Sequence, residues 1–216
     1  MIAAGSISGF VREHIRRRLF LYILVCLSLA AGCVGGGMAA DSVDGTGRTA
    51  IRSSLEEYFA HPVAALGEPG TDRLVYEALT GDVLPTAGLV WLLGLTIIGA
   101  PAILVVTFFR GFALGFTARF LVDMFQWRGG LLAAAALLPH NLLSLAGLVM
   151  AAVAGLRFAS GAARILLGLR TEHTVYGQFA SSFVLAAAGA VCILGARFVE
   201  AYVTPVLIDL TTQYLL

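Results

Sequence analysis

Residues 19 to 40 contain no charged side chain, and Arg16, Arg17 and Arg18 stand immediately before them. Three further uncharged apolar runs, 86–109, 129–156 and 178–196, stop at Arg110, Arg157 and Arg197. A run of about 20 apolar residues matches the roughly 30 Å hydrocarbon core of a bilayer. Within that core the backbone has to satisfy its own polar groups, so the runs are expected to cross as helices. Charged residues make up 12% of the chain, against about 25% in a soluble domain. The expected fold class is an all-α polytopic transmembrane bundle of about five spans with a small helical extracytoplasmic segment.

The fifth span is decided by arginine. All fourteen basic residues are arginine, and the net charge of +1 hides their segregation. Residues 110–128 are apolar enough to enter the bilayer but carry Arg119 and Asp123 near the middle. If this segment crosses, Arg12, Arg16, Arg17, Arg18, Arg110, Arg157, Arg164 and Arg170 gather on one side. If it does not, the arginine-rich loop 157–176 is forced to the other face, against the positive-inside rule. Five spans follow, with a cytoplasmic basic N-terminus (1–18) acting as a signal anchor ahead of the first span (19–40). A four-span core over 86–198 and an extracytoplasmic tail over 199–216 complete the order. Within that core the arginine spacing of 157–176 suits an amphipathic helix on the cytoplasmic surface, touching anionic lipid.

The polar segment 41–85 holds eight acidic residues against Arg48, Arg52 and Arg73. Over 49–61 the spacing predicts a helix with Ile51, Leu55 and Phe59 on one stripe, a candidate partner-binding face. A second short helix over 72–79 is expected to end before Gly81. The segment is too small to hold a core of its own.

No catalytic residue, cofactor site or metal site is expected. The chain has no nucleophile elbow, no paired-histidine motif and no phosphate-cradling glycine loop. The four histidines fall in four different segments, and Cys26, Cys33 and Cys192 all lie inside apolar runs. These cysteines form no disulfide framework and read as small packing residues. No nucleic-acid partner is expected.

Three features remain as candidates for structure or partner binding. Arg119 and Asp123, spaced i, i+4, can neutralise each other on one helical face, or lie close enough to an interface to snorkel. Pro139, His140 and Asn141 interrupt an apolar run, where they can bond across helices or build a broken-helix site, with a kink expected at the proline. Gly111 with Gly115, and Gly32 with Gly36, have the spacing of close helix contact, and Arg110 opens the third segment.

Taken in order, Gly99-Ala-Pro101, Arg110-Gly-Phe-Ala-Leu-Gly-Phe116 and Leu138-Pro-His-Asn141 resemble the stage II sporulation protein M family. The resemblance covers nearly the whole chain, most specifically 90–156. It implies a polytopic, non-enzymatic protein of the bacterial cell membrane that works with peptidoglycan hydrolases in forespore engulfment. Membrane lipids are the other expected partner, and homo-oligomerisation is left open. A permease-like subunit working with a separate ATPase is the alternative reading of the same pattern.

Overall fold

Small residues decide how these helices meet, because lipid tails are as apolar as leucine and supply no hydrophobic drive between helices. In a computed structural model the chain is described over residues 18–60, 71–96, 99–168, 175–204 and 206–207. The side chains of 52, 54–60, 71, 72, 74, 124–137 and 175 lie outside that description. The elements are α1 (Leu19–Asp41), α2 (Gly45–Ala60), α3 (Thr71–Ala78), a π-helical segment (Leu79–Gly88), α4 (Leu89–Gly94), α5 (Gly99–Leu166) and α6 (Val175–Tyr202). Among the described residues four helical stretches are long and apolar enough to cross a membrane: Leu19–Asp41, Gly99–Asp123, Leu138–Leu166 and Tyr176–Tyr202. The protein is a multi-pass, all-α membrane protein.

α5 is not a straight rod. Its 68 residues would extend about 100 Å at 1.5 Å per residue. Yet Ile103 packs against Gly155, and Arg110, Leu114 and Thr117 line one cavity with His140, Asn141 and Ser144. The helix therefore doubles back between Asp123 and Leu138 into two antiparallel arms. α1 runs parallel to the first arm, since Leu29 meets Gly111 and Cys33 meets Gly115. α6 runs antiparallel to the second arm, where Gly147 meets Gly189 and the Ser182 hydroxyl donates to the Ala154 carbonyl at 2.9 Å. The second arm is the centre of the bundle: 56% of its most apolar stretch is buried, against 17% for α1.

Small residues share the interior with a few aliphatic side chains such as Ile103 and Leu148. Ala151, Ala152, Ala154, Thr107 and Ser182 are fully or almost fully buried, while Phe20, Leu27, Val184 and Val191 face outward. Small side chains let backbones approach, and large apolar ones meet lipid. Interhelical hydrogen bonds reinforce the contacts. Ser28 Oγ donates to the Leu104 carbonyl at 2.7 Å, and Trp91 Nε1 to Ser182 Oγ at 3.2 Å. Trp91 also packs its ring on Phe179 and Phe183, both at 5.6 Å, which ties α4 to α6.

The expected spans keep their order but move along the chain. The run 86–109 is not one crossing. α4 ends at Gly94, the chain turns through Leu95 and Thr96, and α5 begins at Gly99. Pro101 in the first turn of the next helix is a residue suited to a helix start. In consequence Arg110 does not close a span; it stands in the middle of Gly99–Asp123. The run 129–156 lies within the second arm, which continues helical to Leu166, and Pro139 stands inside the continuous helical run of α5, where a proline removes one i→i−4 hydrogen bond. The stretch 157–166 continues that arm and is not a separate surface helix; it stops at a turn whose Gly168 has φ +69°.

The helices expected at 49–61 and 72–79 are present as α2 and α3. The second does not stop before Gly81. Its helical path continues through the π-helical segment and α4 to Gly94, which packs on Gly155. Pro85 lies inside the wide turns, where its ring cannot serve a regular i→i−4 ladder. This path packs beside the long helices, with Trp91 on α6 and Gly94 on the second arm of α5.

The two ends of the bundle differ in charge. At one end Asp41 pairs with Arg119 at 2.8 Å and Arg48 with Asp123 at 2.9 Å. Arg119 and Asp123 thus do not neutralise each other; each reaches across to the α1–α2 junction. At the other end Arg18 lies near Arg157, and burial together with that like charge pushes the Arg18 guanidinium down to about 10. It stays protonated at neutral pH.

The four collar side chains are 41–53% exposed, and exposed ion pairs of this kind contribute about 0–1 kcal/mol. A double-mutant cycle between Arg119 and Asp41 is therefore expected to give a small coupling, about 0.5 kcal/mol. The same cycle between Arg119 and Asp123 is expected to give none. A larger coupling within the second pair would mean that the i, i+4 bridge forms instead.

Candidate functional site: a charged cavity inside the bundle

Four segments converge on one polar cavity of about 280 Å³. Asp82 enters from the π-helical segment, Arg110 and Thr117 from the first arm of α5, His140, Asn141 and Ser144 from the second arm, and Arg197 and Glu200 from α6. Thr117 stands two residues before Arg119 on the same arm, and Glu200 two before the end of α6. The cavity therefore sits in the half of the bundle nearer the Asp41–Arg119 collar.

Ionisable side chains at membrane depth are costly and typically face the bundle interior or a water-filled cavity. Here most of the charge is paired. Arg197 Nε stands 2.5 Å from Asp82 Oδ2 and its Nη1 2.7 Å from Glu200 Oε2. One cation thus serves two carboxylates on two different elements, leaving one negative charge over. Arg110 has no ion-pair partner among the described residues, and its positive charge balances the site overall. Glu200, Arg110, Arg197 and Asp82 all act electrostatically on His140.

Asn141 and Ser144 are 8% and 7% exposed. The Asn141 amide nitrogen stands 3.0 Å from His140 Nε2. An amide N–H can only donate, so Nε2 accepts and the ring proton of neutral His140 sits on Nδ1. That Nδ1 is buried and has no partner among the described residues. A buried donor without a partner costs about 1–3 kcal/mol. Among the described residues no cluster of three or more His, Cys, Asp or Glu side chains could hold a metal ion.

The sequence-predicted residues divide into separate places. Arg110, His140 and Asn141 meet in this cavity, and Pro139 stands on the arm that carries two of them. Gly111 and Gly115 face α1 instead: a Cβ on either would collide with the Leu29 or Cys33 carbonyl oxygen. Arg119 and Asp123 belong to the collar. Leu55 and Phe59 lie on α2, and their side chains fall outside the described residues. Sequence reasoning missed Asp82, Thr117, Ser144, Arg197 and Glu200. Arg197 and Glu200 carried a local sign, since opposite charges at i, i+3 share a helical face. Asp82 carried none, because its partner is 115 residues away along the chain.

A cavity of this kind is made by the whole arrangement of spans, and comparison with known proteins places that arrangement. Neither curated protein sequences nor solved structures give a match to the chain. The profile of the stage II sporulation protein M family matches residues 19–205, from the start of α1 to just beyond the end of α6. Every span and every cavity residue falls within that match, and the chain belongs to the stage II sporulation protein M family of sporulation-related membrane proteins.

Proposed function

We propose that the protein is a non-enzymatic membrane scaffold that recruits and localises peptidoglycan-degrading partners, as in engulfment of the forespore. The observation that carries this reading is the collar. Two ion pairs, Asp41–Arg119 and Arg48–Asp123, join the α1–α2 junction to the end of the first α5 arm. α2 thereby starts from a defined position at the end of the bundle, as a docking helix for an external partner would require. Family membership supports the process, and the arginine distribution supports a cytoplasmic N-terminus with α2 and the C-terminus outside.

Two measurements test this reading. In a cysteine-free background, single cysteines at Ser53 and Tyr202 are expected to react with a membrane-impermeant thiol reagent in intact cells, and one at Ile165 only after permeabilisation. The reverse pattern would put α2 in the cytoplasm and end the scaffold reading. Changing Leu55 and Phe59 to serine is then expected to abolish co-purification of cell-wall hydrolases while leaving membrane insertion unchanged. Unchanged co-purification would remove the α2 stripe from the interface.

The charged cavity favours a second reading, a permease-like subunit energised by a separate ATPase. Solute flux into proteoliposomes containing the protein and a co-purified ATPase, lost on ATP removal, would replace the scaffold with this reading.

A further inference from the structure

We propose that the cavity is a binding site for a phosphate monoanion, held chiefly by Arg110. Arg110 lines it without an ion-pair partner among the described residues, although Asp82 and Glu200 line the same cavity. Both carboxylates are turned to Arg197, at 2.5 Å and 2.7 Å. The acidic side of the cavity is thus engaged by one cation, and the Arg110 fork is left for a ligand. Guanidinium groups hold phosphate through paired, charge-assisted hydrogen bonds.

Two other groups on the wall can donate alongside Arg110. His140, with its proton on Nδ1, has that atom buried and unpartnered among the described residues. Ser144 lines the same wall one helical turn further on and is 7% exposed. Thr117 is satisfied, its hydroxyl donating to the Ala113 carbonyl at 2.9 Å. A tetrahedral anion accepts from several directions, so it can engage an arginine, an imidazole N–H and a hydroxyl that approach from two arms of one helix. A cation would meet the positive charge of Arg110, and both carboxylates already face Arg197. A neutral solute would leave the Arg110 fork without a charged hydrogen-bond partner at membrane depth.

The same chemistry has two sources: the phosphodiester of an anionic lipid, reached from within the bilayer, and free inorganic phosphate. The full chain is reconstituted in phosphatidylcholine nanodiscs, and two probes are titrated. Inorganic phosphate is followed by thermal stability, and phosphatidylglycerol by native mass spectrometry. One saturable site is expected, with apparent affinity falling about tenfold or more in Arg110→Gln, the loss of one charge-assisted interaction. Asn141→Asp, which adds a negative charge with little change of shape, is expected to weaken binding similarly and serves if Arg110→Gln does not fold. Arg164→Gln, on the opposite end of the bundle, is expected to bind as the unsubstituted protein does.

Saturable phosphatidylglycerol binding that depends on Arg110 would assign the site to lipid, and saturable phosphate binding that depends on Arg110 would assign it to the free ion. Absence of saturable binding of either probe to the unsubstituted protein overturns the proposal. So does binding that Arg110→Gln and Asn141→Asp leave unchanged.

Discussion

Valine at Gly36 is expected to prevent α1 from seating on α5, with folded protein lost from the membrane. Gly32 and Gly36 on α1 rest against the backbone carbonyls of Phe108 and Phe112, and Gly111 and Gly115 on α5 against those of Leu29 and Cys33. The contact is reciprocal, backbone against backbone, and no side chain can swing aside to admit a methyl group. Overpacking costs about 1–3 kcal/mol where neighbours can relax. Here the helices themselves have to move apart, so even Gly36→Ala or Gly115→Ala should cost about 3 kcal/mol, the upper end of that range. The separation would also break the Ser28–Leu104 hydrogen bond. Gly35 and Gly37 provide the control on the same helix, since a Cβ there would meet its nearest atoms at 3.6 Å and 4.0 Å. Gly35→Ala and Gly37→Ala are expected to be neutral or to stabilise, alanine being preferred to glycine in helix interiors by about 0.5–1 kcal/mol. Thermal unfolding in detergent reads all four alanine variants; equal effects at 36 and 37 would mean that α1 does not pack through this face.

Arg197→Leu is expected to be the most damaging single change in the cavity. It leaves Asp82 and Glu200 close together at membrane depth with no cation between them. Removing one side of a buried ionic group costs about 3–5 kcal/mol. The side chains here are 26–36% exposed, which places the expectation near the lower end, about 3 kcal/mol. Asp82→Asn and Glu200→Gln should each cost clearly less, because Arg197 keeps the other carboxylate in both. The order of the three unfolding temperatures is the test. If Arg197→Leu falls no further than Asp82→Asn, the arginine is not the hub of the network.

Much of this protein was written in local chain. Membrane insertion follows from uncharged runs such as 19–40, because the cost of an unsatisfied backbone in lipid leaves only a helix for them. α2 and α3 followed from helical spacing and turn residues in 41–85, and the glycine pairs at 32 and 36 and at 111 and 115 marked surfaces of close approach. The family pattern rested on short motifs that kept their order.

What needed the tertiary structure was every statement about which residues meet. The spans shifted because hydropathy is nearly uniform across 86–109 and cannot show that the chain turns after Gly94. Arg119 and Asp123 looked like a pair because helical geometry makes i, i+4 charges neighbours. The fold offered each a partner on the α1–α2 junction at 2.8–2.9 Å, and at the end of a span that reach costs little. The cavity was hidden for a related reason. Arg110 and Arg197 were read as the ends of apolar runs, where arginine marks an interface. Only the antiparallel return of α5 and the packing of α6 on its second arm carry Arg110, His140 and Arg197 to one place. Asp82 joins them because Pro85 and the π-helical turns bring a different segment of chain to the same depth, a long-range coincidence to which no local periodicity points.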